Sequence, residues 1–211
     1  MPLSDYALDK FVAPKLSELT ACGADKLAEP ENLLSNFILN NIVVVRYVEP
    51  MRANAFNMIR RVDQASYEYE QGRDNLSKYL NTPPEVISPY FRALSHFEQC
   101  VAMLYQSALF AARLVDEKVL YKQGDGSFFE RMNKLYTASK HMVERIEQGR
   151  IPVDATTGVW LTNDGIECED ASVNFAELRE ALIERQGMAR YVAEELPKQV
   201  QETLRRDSPG Q

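Results

Sequence analysis

Apolar residues recur at helical spacing along most of the chain, which predicts a run of amphipathic helices. Residues 4–20 carry Tyr6, Phe11, Leu16 and Leu19 and predict a short helix, weakened by Pro14, which has no backbone N–H. Residues 21–30 hold Gly23 and Pro30 and read as a loop. From Glu31 onward, Leu33, Leu34, Phe37, Ile38, Ile42, Val45 and Val48 keep helical phase. The β-branched run Ile42-Val43-Val44-Val45 also suits a buried strand, so both readings stand there. Pro50 kinks or restarts the chain. Residues 51–80 then place Phe56, Ile59, Val62, Tyr69, Leu76 and Leu80 on one stripe, with dense charge elsewhere.

Asn81-Thr82-Pro83-Pro84-Glu85 supplies a cap residue, first-turn prolines and an acid that suits a helix N-terminus. The next helix, roughly 84–120, is the most apolar segment. Phe97, Val101, Leu104, Ala108, Ala111 and Val115 form its stripe, as befits a central helix of a bundle. Gln123-Gly124-Asp125-Gly126-Ser127 ends one helix and caps another, predicted over 128–148. Trp160-Leu161-Thr162, Asn163-Asp164-Gly165 and Ile166-Glu167-Cys168 read as a small β-hairpin, with Asp-Gly giving the positive φ of a tight turn. Asn174 with Glu177 resembles a capping box that opens a last helix over 175–204, bent near Gly187. Residues 205–211 read as a disordered tail. The expected fold is therefore all-α: a bundle of five or six helices with a small hairpin before the last one, forming one helical domain over 1–204.

Composition narrows the functional classes. Hydrophobic residues make up 45% of the chain and charged residues 26%, so a full core can be buried. A net charge of −7 disfavours extensive nucleic-acid binding, because phosphate backbones are repelled overall. The N-terminus shows no secretory pattern and the apolar stretch at 42–45 is too short to span a bilayer, so a cytoplasmic protein without membrane contact is expected. Cys22, Cys100 and Cys168 are widely spaced, form no CxxC pair and predict reduced thiols.

Several chemistries lack their residues. There is no phosphate-binding GxxxxGK[ST] loop, no HExxH and no GxSxG, and a di-iron bundle needs Glu-x-x-His pairs that His96 and His141 do not make. No cofactor and no metal site is expected. The acidic cluster Glu167, Glu169 and Asp170 suits a hard cation or, more simply, a solvated hairpin rim. His96, at the edge of the apolar stripe, reads as a hydrogen-bonded core histidine.

The segment 131–145 carries most of the remaining information. At about 100° per residue, Arg131, Lys134, His141 and Arg145 fall on one line, with Ala138 as a gap and Asn133 beside it. Cations spaced this way suit a phosphate-bearing ligand. The alternative is a solvent-exposed face paired with Glu130 and Glu144.

A long apolar helix, then Arg131-Met132-Asn133 and Lys140-His141, then the Trp160–Gly165 hairpin and a final helix resemble the HEPN-like helical proteins of prokaryotes over roughly 85–204. The resemblance implies a helical bundle, a homodimer, and a defence or stress setting. It also implies, for some members, RNA cleavage by an Arg and a His set closer together than Arg131 and His141, which have nine residues between them. The leading expectation is a non-enzymatic HEPN-like module that binds a protein partner or a phosphate-bearing ligand through Arg131, Asn133, Lys134, His141 and Arg145. The second is a ribonuclease or other phosphate-handling enzyme, with His141 as general acid–base and Arg131 or Lys134 holding the phosphate. The third is an interaction protein outside that family.

Overall fold

The computed structural model describes residues 4–28, 32–43, 49–83, 86–117, 119–151 and 155–199. The expectations at Pro30, Glu31, Val44–Val45, Val48, Pro84–Glu85, Val200 to 204 and the tail 205–211 lie outside these. Among the described residues there are seven α-helices and one small sheet, so the chain is mainly helical. The first helix, α1 (Asp5–Phe11), is capped by Ser4, whose Oγ accepts from the Ala7 N–H. It ends before Pro14 and a 3₁₀ turn over Leu16–Glu18 follows. In α2 (Leu33–Val43) the described part of the β-branched run, Ile42 and Val43, is helical.

Two long helices, α3 (Met51–Leu80) and α4 (Ser88–Leu114), form the centre. They run antiparallel: Tyr79 meets Tyr90 at 5.5 Å between ring centroids, and Tyr69 meets Phe97 edge-on at 5.9 Å. Gly72 permits this approach, since a Cβ there would sit 3.0 Å from the Phe97 ring. The predicted α4 stripe Phe97, Val101, Leu104, Ala108 and Ala111 is buried. Each large side chain removed from water contributes roughly 1.5–3 kcal/mol. Val115 is exposed, because the helix stops at Leu114 and the Asp116 backbone turns left-handed.

The predicted 128–148 helix is two helices. Ser127 caps α5 (Phe128–Lys140), and α6 (Met142–Glu147) follows after a break at His141, whose ψ of 35° interrupts the ladder. The hairpin has gained a strand: β1 (Trp160–Leu161), β2 (Gly165–Cys168) and β3 (Ala171–Asn174) form an antiparallel sheet in sequence order. Gly165 is needed there for a reason other than the positive φ expected of it. It does not occupy the left-handed region; instead a Cβ would lie 2.2 Å from the Val173 carbonyl oxygen across the ladder.

The capping box at Asn174 and Glu177 opens α7 (Phe175–Arg190) as the sequence predicts. The irregularity expected near Gly187 lies a turn later, in a π-helical segment over Tyr191–Glu195. A wide turn exposes carbonyls, and α2 supplies a partner: Asn40 Nδ2 donates to Ala193 O at 2.6 Å, and Asn36 Nδ2 to Glu194 Oε1 at 2.7 Å.

Leu8, Leu16, Leu19 and Leu27 of the N-terminal arm pack into the same core as α4, α5, the sheet and α7. Asn163 fastens this arm: its Oδ1 accepts the Thr20 and Ala21 N–H groups, and its Nδ2 donates to Glu18 O. Among the described residues, no helix is long and apolar enough to cross a membrane.

Candidate functional site

The α5–α6 line is anchored at its start by a turn. Gly124 and Gly126, both at positive φ, direct their N–H groups onto the Glu130 carboxylate at 2.7 and 2.6 Å. Those two N–H donors hold the carboxyl below its ordinary value. A Gly-rich turn that would otherwise present N–H groups to an anion is thus filled by a side chain of its own helix.

The cations along the line are matched to carboxylates one after another. Arg131 Nη1 and Nη2 meet Glu177 Oε2 and Oε1 at 3.0 and 2.6 Å, and Nη1 also donates to Ser172 O at 2.8 Å. These bonds raise the Arg131 pKa and lower that of Glu177. Lys134 Nζ lies 3.5 Å from Glu130 Oε1. His141, at the helix break, has its Nδ1 3.5 Å from Glu144 Oε1 and is 47% exposed. Arg145 Nη2 faces Glu169 at 3.5 Å and Asp170 at 3.8 Å, while its buried Nε has no partner among the described residues. Asn133 is half-buried on α5. Ala138, the gap in the line, is fully buried, because Gly158 packs on its carbonyl.

The elements therefore bring Arg131 to the sheet, Lys134 to the α5 cap and Arg145 to the β2–β3 turn, while His141 stays apart at the kink. Glu169 and Asp170 of the acidic cluster serve as counter-ions to Arg145. No group of three or more His, Cys, Asp or Glu among the described residues is arranged to hold a metal ion.

Beside Arg131 lies an open polar cleft of about 450 Å³, lined by Arg131, Thr162, Asp164, Glu167, Ser172 and Glu177. One cation against three carboxylates makes it a poor receptor for phosphate. A cavity of about 570 Å³ lies elsewhere, against α3 at Arg60, Tyr67 and Glu70 and under Leu27. It does not touch the line, so its size says nothing about the chemistry there.

Two polar pairs escape sequence reading. His96 Nδ1 is 2.6 Å from Glu68 Oε2, and Glu68 is buried in the α3–α4 seam, where it also accepts from Gln64 Nε2 at 3.1 Å. His96 is thus a hydrogen-bonded core-edge histidine. Ser139 Oγ donates to Glu98 Oε1 at 2.8 Å, tying α5 to α4, and burial pushes the Glu98 carboxyl up. The polar spacing within each helix leaves these partners anonymous, because each pair joins two different helices, its partners standing 28 and 41 positions apart. No family model matches this chain, and neither a curated protein nor a solved structure matches it.

Proposed function

We propose that the protein is a non-enzymatic HEPN-like helical module that acts by binding a protein partner and works as a cytoplasmic homodimer in a prokaryotic defence or stress setting. The observation that carries the non-enzymatic part is the pairing of Arg131, Lys134 and Arg145 with carboxylates. A phosphate would have to displace those acids from cations already engaged, one of them by a bidentate grip. His141 as general acid–base would then act without Arg131, Lys134 or Arg145 free to hold the phosphate.

The enzyme reading keeps one observation in its favour: the His141 imidazole is about half exposed at a helix break. The deciding experiment incubates the wild-type protein and His141→Ala with total RNA, with and without magnesium. The non-enzymatic reading expects no cleavage by either. Cleavage by wild type that His141→Ala abolishes, with the variant folded, overturns it.

A further inference from the structure

We propose that α6 is the surface through which two copies of this chain pair, antiparallel across a two-fold axis. The proposal rests on the homodimer reading above and names its contact. None of the residues of α6 is buried, although the helix is held firmly from behind. Arg145 reaches back to Glu169 and Asp170, and Met142 packs toward Gly158. The outer edge of α6 shows Val143 and Ile146, 66% and 57% exposed. Three residues apart, they adjoin on one helix face. Among the described residues this apolar edge is left largely uncovered.

Charge selects a second copy as the occupant. Lys140 and His141 precede α6, and Glu144 and Glu147 occupy its body. Antiparallel apposition lays the basic start of each copy over the acidic end of the other and sets Val143 against Ile146 of the second copy, twice over. A parallel arrangement would oppose like charges. Lys140 and Glu147 are both exposed and make no ion pair among the described residues, unlike Arg131 and Lys134 before them and Arg145 between them. The Lys140 ammonium rests on the Tyr136 ring, 5.7 Å from its centroid, with its charge unmatched. In a two-fold contact one pairing rule satisfies both copies. A patch this small sets a weak, concentration-dependent dimer rather than an obligate one.

Light scattering on the full chain between about 1 and 100 µM, the range proper to a small interface, compares wild type with Lys140→Glu, Glu147→Lys and the double reversal. The expected result is a wild-type dimer whose midpoint moves at least about tenfold higher in concentration in each single variant and returns toward wild type in the double. A wild-type dimer indifferent to all three overturns the α6 contact and leaves self-association standing. A monomer throughout overturns the contact and the homodimer together, while the RNA experiment judges the non-enzymatic reading by itself.

Discussion

Arg131 of α5 and Glu177 of α7 lie 46 residues apart in sequence and form a two-bonded ion pair, 2.6 and 3.0 Å long. Glu177 is at the same time the acid of the α7 capping box, accepting the Asn174 N–H at 3.2 Å. One carboxylate thus closes a helix N-terminus and holds the neighbouring helix against it. A phosphate would compete with this carboxylate for the Arg131 guanidinium, and in this fold the carboxylate holds it.

Glu177→Ala is expected to destabilise the protein by about 1–2 kcal/mol, since it removes half a capping box and a partly exposed ion pair worth under about 1 kcal/mol by itself. Urea unfolding of wild type, the two single alanine variants at 131 and 177 and the double variant measures the coupling. If Arg131→Ala and Glu177→Ala add independently, the shared role is wrong.

Glu177 and Glu130 both titrate below their ordinary value of 4.5, Glu177 chiefly through Arg131 and Glu130 through the Gly124 and Gly126 N–H groups. A depressed carboxyl contributes stability that is fully present above its unfolded value. That stability is lost as pH falls through the folded value. The melting temperature should therefore hold through neutral pH and drop below about 4.5. Glu130→Gln should lower the neutral plateau and shallow the acid limb; an unchanged acid limb counts against the assignment.

Gly165→Ala is expected to cost about 2 kcal/mol or more, because the added methyl meets the Val173 carbonyl oxygen and the strands must part. Thermal unfolding reads this directly. Gly187→Ala is the control, since a Cβ there meets nothing within 4 Å. On an exposed helical position it should stabilise by about 0.5–1 kcal/mol.

Asn163→Ala should loosen the N-terminal arm rather than the bundle. It removes three hydrogen bonds, each worth about 1 kcal/mol net, to Glu18, Thr20 and Ala21. Amide exchange should rise over residues 18–23 and stay protected in α4. Equal loss of protection in both would make the arm inseparable from the core.

Helices were legible wherever one stripe of side chains had one place to go. The α4 stripe, the Ser127 cap and the Asn174–Glu177 box depend on residues within a few positions of each other, so periodicity and local hydrogen bonding expose them. The sequence also puts Arg131, Lys134, His141 and Arg145 on one line of a helical wheel, but a wheel assumes a straight helix, and this one breaks at His141. On either side of the break Ala138 and Met142 meet Gly158 of the loop before the sheet, a contact that no helical wheel contains. The third strand escaped notice because Ala171–Asn174 is short and has one buried residue, Val173.

What the sequence determined by itself is local: the fold class, most helix starts, the hairpin turn and a row of cations. Each follows from spacing, caps and side-chain type over a turn or two of chain. Tertiary structure decided which carboxylates Arg131 and Arg145 meet, whereas Lys134–Glu130 and His141–Glu144 follow from spacing of four and three residues on the helix. Glu177, Glu169 and Asp170 reach the line from α7 and the β2–β3 turn, and a charge pair forms wherever folding brings opposite charges within about 4 Å. Spacing along the chain does not encode that meeting. The same row of cations that would hold a phosphate if left open becomes, once folded, the framework that fixes α5 and α6 against the sheet and α7.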